Sequence, residues 1–160
     1  MPNNLTKVDQ NALRMNQAFI ISLLLIGFLF NTPVLVLLVM AVMLIGSAVG
    51  RPGFLPVYRA ILLRMGWVRP DPVPDHPEPH RFAQTFGGSV LIGASLALLL
   101  GAPGLGWGLT WLVIFLAALN LFGGFCAGCF VYYWLGRLSV PGFSQTPPPN
   151  TFPGMRPKAG

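Results

Sequence analysis

The chain has 160 residues, of which 54% are hydrophobic and only 9% charged, against about 25% charged in an ordinary soluble domain. Too few charges remain to coat a water-soluble globule of this size, so much of the surface is expected to face lipid. The net charge of +6 is not read as a nucleic-acid footprint, because the basic residues flank apolar runs and form no separate basic domain.

Residues 1–11 form a polar N-terminal segment in which Asp9 or Asn11 can cap a helix. A first helix is predicted over 12–30. It follows Lys7 and Arg14 as a signal peptide would, but no small-residue cleavage site follows, and it is expected to be retained. Asn31, Thr32 and Pro33 supply turn chemistry, and a second apolar helix is predicted over 33–50. Read as one helix, Ala18 to Val49 would be roughly 48 Å long, well beyond a ~30 Å hydrocarbon core; a tight helical hairpin fits instead.

Residues 54–66 carry Arg59 and Arg64 among bulky apolar residues, with Trp67 just beyond, and are predicted to lie as an amphipathic helix in the headgroup region. From Arg69 to His80 alternate prolines predict an extended, polyproline-like strap. A third apolar helix is predicted over 82–102, a turn at Pro103 to Gly106, and a fourth helix over 108–135. Trp107 and Trp111 mark one end of that helix, and Tyr132, Tyr133 and Trp134 the other. Residues 138–160 are rich in Pro, Gly, Ser and Thr and are expected to be a disordered tail.

The fold class predicted is therefore an all-α integral membrane protein: four transmembrane helices in two tight hairpins, one interfacial helix, and a membrane domain over 12–137 that includes a loop over 51–81. Lys7, Arg14, Arg51, Arg59, Arg64, Arg69, Arg81, Arg137, Arg156 and Lys158 then all fall on the side of the termini and the middle loop. The positive-inside rule places that side in the cytoplasm of a bacterial plasma membrane.

The two cysteines, Cys126 and Cys129, form a Cys-x-x-Cys pair. On a helix this spacing puts two sulfurs one turn apart on one face. Measured from Trp111, Cys126 would lie about 22 Å along the span, in its cytoplasmic third. A static disulfide does not suit a reducing compartment. Dithiol exchange, a persulfide relay, binding of Cu(I) or Zn(II), and simple packing by small apolar residues all remain open. A break at Gly123 and Gly124 would make Cys126 the start of a half-helix whose amides favour its thiolate; a continuous helix would bury both thiols in lipid.

Asn16, Gln17 and Gln84 open the first and third helices at the same depth and are candidate pocket-lining residues, with Asn120 near mid-span. Gly87, Gly88, Gly124 and Gly128 are candidate packing positions, where the third and fourth helices would touch. His76 and His80 would complete a zinc set with the cysteines, but the proline strap argues for solvated loop histidines, and no metal ligand or cofactor is assigned. Met40 and Met43 are read as lipid-facing or core residues. The acids Asp9, Asp71, Asp75 and Glu78 all lie outside the apolar runs, which argues against proton-coupled transport.

Val8 and Asp9 with Arg14 and Gln17, the run Pro79 to Gln84, and Gly124 to Cys129 with Tyr132 together resemble a bacterial membrane family, domain of unknown function 4395. The order and spacing of these features carry the resemblance; His80 stands where Lys is expected before Arg81. The resemblance implies a multi-span membrane protein with a cysteine pair, and association with thioredoxin-like or sulfurtransferase proteins. The function expected is a cytoplasmic-side dithiol for thiol-redox or sulfur handling with such a partner. The alternatives are an accessory membrane subunit without chemistry, and soft-metal (Cu, Zn) binding or transport. Enzymatic activity and oligomeric state are left open.

Overall fold

The computed structural model describes residues 6–148 and 151–156. Lys158, the first residues of the N-terminal segment and parts of the tail lie outside the described residues. Helix α1 (Gln10–Leu29) starts where Asp9, in extended conformation, accepts the amides of Asn11 and Ala12 through Oδ1. It ends in a tight turn in which Asn31 is left-handed (φ 47°) and Thr32 donates to the Gly27 carbonyl. Helix α2 (Pro33–Val49) opens on proline, whose missing N–H costs nothing in a first turn.

Between α2 and the next long helix the chain does not form the single helix predicted over 54–66. A three-residue turn, α3 (Leu55–Val57), runs into a π turn over Tyr58–Leu62. Pro52 and Pro56 lack amide donors and Gly53 disfavours helix, so a regular helix does not form there. The strap predicted from Arg69 to His80 is extended only up to the start of the next helix at Pro77, and it is paired: β2 (Pro72–Asp75) runs antiparallel to β1 (Thr6–Asp9), with Val8 opposite Val73. The fold is thus mostly helical rather than all-α. A ribbon strand needs amides only at alternate residues, and Val73 and Asp75 supply them. Those two residues are buried while Pro72 and Pro74 face out.

Helix α4 (Pro77–Leu99) begins five residues before the predicted start. Pro77 and Pro79 occupy its first turn, where prolines fit a helix and do not break it. Helix α5 (Pro103–Gly123) also starts earlier than predicted, on Pro103, and the predicted fourth helix is two helices. At Gly124 (φ 65°) the chain turns left-handed; Gly124 donates to the Asn120 carbonyl and Phe125 to that of Leu119, closing the end of α5. Helix α6 (Ala127–Arg137) then sets off afresh and packs on α4.

Helices α1, α2, α4 and α5 form an up-and-down bundle in which α1 and α4 each touch both α2 and α5. Ile20, Leu24, Val36, Val39, Leu91 and Ile114 fill its centre. The outer surface is also apolar: Leu29, Leu100, Phe115 and Phe122 are among the most exposed residues. Exposed bulky hydrophobics distributed around a bundle are what a lipid-facing surface requires. Helices α1, α4 and α5 are each long and apolar enough to cross a membrane; α2 is apolar but shorter, at 17 residues. At one end of the bundle Trp107 donates to the Asn31 side chain, and Phe28 packs edge-on against Trp107 and Trp111. The ribbon, the loop, α6 and the cysteines gather at the other end.

The tail, which composition marks as disordered, has packed stretches among its described residues. Phe143 packs edge-on against Phe82 and Tyr132, and Met155 forms an isolated antiparallel bridge with Phe125.

Candidate dithiol site

Cys126 is the N-cap of α6. Its backbone is extended, and its Sγ accepts the amide of Cys129 at 3.2 Å. The two cysteines are joined as a disulfide with Cα atoms 5.2 Å apart, inside the roughly 4.4–6.8 Å that such a bond spans. The break at Gly124 makes this possible: the N-cap is free to leave helical geometry, so two residues one turn apart can be bridged. The break also moves the pair. Helix α5 alone is roughly 30 Å long, so the disulfide lies past the end of a span-length helix and not inside one. Tyr132 and Tyr133 belong to the same cluster, buried with the cysteines against Phe82, Ala83 and Phe143, and do not form an outer aromatic belt.

His80, in the first turn of α4, lies against the pair with Nδ1 3.6 Å from Cys129 Sγ. Its Nε2 is 2.9 Å from Asp75 Oδ2. His76 is buried at the N-cap of α4 and donates its amide to Asp75 Oδ1 at 2.8 Å. The expectation of solvated histidines on a flexible strap is therefore wrong, because the prolines that suggested a strap open a helix. Asp75 is buried too, and accepts Gln10 Nε2 at 3.2 Å. Burial by itself would raise the Asp75 carboxyl, but the hydrogen bond and charge of His80, with the His76 and Gln10 donors, bring it below its ordinary value. A carboxylate only accepts, so Nε2 carries the proton between them; Nδ1 faces Cys129 with a lone pair when the ring is neutral and with a proton when it is an imidazolium.

The expected pocket residues converge. Asn16, Gln17, Gln84 and Asn120 line one cavity of about 80 Å³ with His80 and Cys126. Asn16 Oδ1 accepts the Phe54 amide at 3.0 Å, and Gln84 Nε2 donates to the Met43 carbonyl at 2.8 Å, which fixes two of the walls. Asn120 takes part through its backbone, accepting Arg156 Nη2 at 3.0 Å. The glycines divide differently from expectation. Gly128 packs on Ala83 of α4, whereas Gly87 and Gly88 face Met43 and Leu44 of α2, and Gly124 is a helix cap. Helices α4 and α5 therefore do not meet through paired glycines; α6 and α4 meet through Gly128 and Ala83.

The tail closes the site. Cys126 donates its amide to the Gly154 carbonyl at 2.7 Å, and Arg156 donates its amide to Gly124 at 2.9 Å. Gly154, Met155 and Arg156 wall a small cavity over Asp75, His80 and both cysteines.

Residues 8–137 match the family described as Domain of unknown function (DUF4395). The chain belongs to this family. The matched stretch holds the whole bundle, Asp75, His80 and the cysteine pair; the tail residues that lie on Cys126 fall outside it. Among curated proteins and solved structures, none matches the chain.

The sequence placed His80 beside the cysteines only in a zinc set that the proline strap argued against, and did not link Asp75 to them. The available signal was an Asp-x4-His spacing whose histidine stands three residues after the start of a proline-led helix.

Proposed function

We propose that this protein is a four-span membrane thiol–disulfide exchanger whose dithiol, Cys126 and Cys129, faces the cytoplasm and works with a soluble thioredoxin-like or sulfurtransferase partner. The single observation that carries this reading is a cysteine at a helix N-terminus, bridged to a second cysteine whose sulfur faces a His80–Asp75 pair. Helix N-terminal amides favour a thiolate on Cys126. His80, held by Asp75, stands where the other sulfur needs a proton donor and acceptor.

The exchange balances as follows. A partner thiolate attacks Cys126 Sγ; a bond to the partner sulfur forms, the Cys126–Cys129 bond breaks, and Cys129 leaves as a thiolate that takes a proton by way of His80. The partner's second thiolate then attacks its own sulfur in the mixed disulfide and releases Cys126. Two electrons pass to the pair, and the partner departs as a disulfide. The reverse sequence oxidises the pair and reduces the partner.

The orientation rests on charge. Lys7, Arg14, Arg51, Arg59, Arg64, Arg69, Arg81, Arg137 and Arg156 all belong to the end of the bundle that holds the cysteines, and the turns at 30–32 and 100–102 carry no charge. That end is cytoplasmic by the positive-inside rule, where the pair is kept reducible. Helix α2, roughly 25 Å long, crosses with α1 as a hairpin.

Reporter fusions after Asn31, Trp67 and Pro103 and at the C-terminus test the topology, with only the first and third expected outside. Maleimide labelling in native membranes across a redox titration tests the chemistry. Labelling should rise with reduction, and Cys126→Ser should abolish most of it. If neither cysteine reacts before detergent unfolds the protein, and no reducible link forms, the cysteines are packing residues and the protein is an accessory subunit.

A further inference from the structure

Reduction of the disulfide leaves two thiols and an imidazole nitrogen converging on one point. The two sulfurs and a ring nitrogen of His80 lie within 4.8 Å of one another. We propose that the reduced protein binds one zinc ion through Cys126 Sγ, Cys129 Sγ and His80 Nδ1. The site shares its cysteines with the exchange reading and rests on it only in needing the pair reduced.

Four features of the structure point to a metal and not merely to a dithiol. His80 already has the orientation of a metal-bound imidazole: Nε2 is committed to the Asp75 carboxylate, and Nδ1 faces the Cys129 sulfur, where the neutral ring presents its lone pair. A ligating histidine commonly has such a carboxylate behind it, fixing the tautomer and ring plane. Asp75 is in turn held by the His76 amide and the Gln10 side chain.

Second, the Cys129 amide points at Cys126 Sγ. A donor to sulfur stabilises a thiolate ligand, and the helix N-terminus adds to it.

Third, charge is balanced. A divalent cation with two thiolates and the Asp75 carboxylate totals −1, and Arg156 borders the same small cavity as all three ligands.

Fourth, the ligands sit on rigid elements. The cysteines are the N-cap and third position of α6, His80 is in α4, and Gly128 with Ala83 fixes the two helices against each other.

Two thiolates and one imidazole suit zinc, which takes mixed N and S donors in a tetrahedron with bonds of roughly 2.0–2.3 Å. Such bonds require the sulfurs to separate from their bonded position, which reduction allows. Three protein ligands leave the fourth position open to water or to an incoming thiolate, as in sites where zinc activates a bound group. Binding releases the two thiol protons and makes metal occupancy and disulfide formation mutually exclusive.

The test uses the purified full-length chain in detergent, reduced with a phosphine and titrated with Zn(II) alone, then with Co(II) as a spectroscopic stand-in. Expected are one equivalent bound to the reduced protein and none to the oxidised protein, which serves as a folded control of identical sequence. Reduced protein with Co(II) should show intense tetrahedral ligand-field bands and a sulfur charge-transfer band. Cys126→Ser, Cys129→Ser and His80→Ala should each lose at least tenfold in affinity, and Asp75→Asn on the order of tenfold, as outer-shell partners of metal ligands do.

Equal metal uptake by reduced and oxidised protein overturns the proposal. So does wild-type affinity in His80→Ala, or binding of Cu(I) by the two sulfurs alone with no Zn(II) uptake. A disulfide that still cycles in maleimide assays while no zinc binds removes the metal site and leaves the exchange reading intact. Loss of cycling with zinc still bound does the reverse.

Discussion

The amide of Cys126 donates to the carbonyl of Gly154 at 2.7 Å, so the residue that caps α6 is also the residue on which the tail rests. An N-cap amide has no acceptor in its own helix, and a buried one needs a partner from elsewhere. Gly154 supplies it in a left-handed conformation (φ 85°), at a position where a Cβ would run into Phe130 and the Cys126 carbonyl. The two Arg156 bonds to Gly124 and Asn120 hold the next turn of the tail across the break between α5 and α6.

That contact makes the tail the barrier to Cys126, which is only 5% exposed. Gly154→Val places a β-branched side chain in a left-handed backbone position and against Phe130, and should lift the tail. Deletion of 149–160 removes it outright. In both variants, maleimide labelling of reduced Cys126 should rise on the order of tenfold, since local opening then costs less, while the thermal transition of the bundle changes little. Wild-type labelling rates in both would show that something other than the tail excludes the reagent.

The His80–Asp75 pair predicts a rate effect without loss of the disulfide. With His80→Ala, Cys129 loses the imidazole that can protonate it as it leaves, and reduction by a small dithiol should slow about a hundredfold, the lower range for a positioned acid. Asp75→Asn keeps the ring but loses the carboxylate that sets its tautomer, and should slow reduction less. Stopped-time alkylation measures both. Unchanged rates with the disulfide intact would make the pair a structural contact.

Gly128 and Ala83 predict a compensating pair. A methyl added at Gly128 would meet Cα and Cβ of Ala83 at 2.6 and 2.5 Å. Gly128→Ala should therefore destabilise the α4–α6 contact by about 1–3 kcal/mol, the usual range for overpacking, and lower disulfide yield. Adding Ala83→Gly removes the Cβ contact but leaves the Cα one, and should restore part of the loss. The double variant's melting temperature in detergent reads the coupling directly. Additive losses would mean that the two residues do not meet.

Much of the bundle was legible because hydrophobic runs and turn residues carry it. Asn31 to Pro33 mark one tight turn, Pro103 marks the other slightly late because it opens α5, and one-sided arginines mark the end where the loops gather. Asp9 and Asn11 were both readable as caps because a short acceptor side chain before a helix can take its first amides, and the structure uses Asp9. The site was less legible for reasons that lie in proline and glycine. Pro77 and Pro79 read as strap residues, since sequence alone does not distinguish a proline that opens a helix from one that prevents it. Hence His80 looked mobile and its distance from the cysteines was invisible. Gly123 and Gly124 left two outcomes open for the fourth apolar run, a kinked span or a break, and only the left-handed turn at Gly124 decides between them. The ribbon of β1 and β2 was hidden because a strand written as Pro-Val-Pro-Asp has half the usual amides.

Asp9 does more than cap α1, and this leads to a pH dependence. Its Oδ1 also accepts the Asp71 amide at 3.0 Å, and its Oδ2 accepts Tyr58 OH at 3.0 Å. One carboxylate thus ties the start of α1 to the loop and to the strand that carries Asp75. Tyr58 is buried in that knot, and burial first, then the hydrogen bond to Asp9 and its charge, push the phenol up to about 12. Below pH 10 the phenol is neutral in folded and unfolded chains alike, and its contribution to stability is complete. Between about 10 and about 12 the unfolded chain loses this proton while the folded one keeps it, so the unfolded state gains and stability falls as pH rises. Above the folded value the loss is complete. Burial also raises Tyr132 and Tyr133 in the cysteine cluster, so the measured quantity is the difference between wild type and Tyr58→Phe. The variant should be less stable at neutral pH by about 1 kcal/mol, the worth of one hydrogen bond, and its unfolding midpoint should fall less steeply across the alkaline window. Parallel curves for the two proteins would place the Tyr58 phenol in water and undo the knot around Asp9.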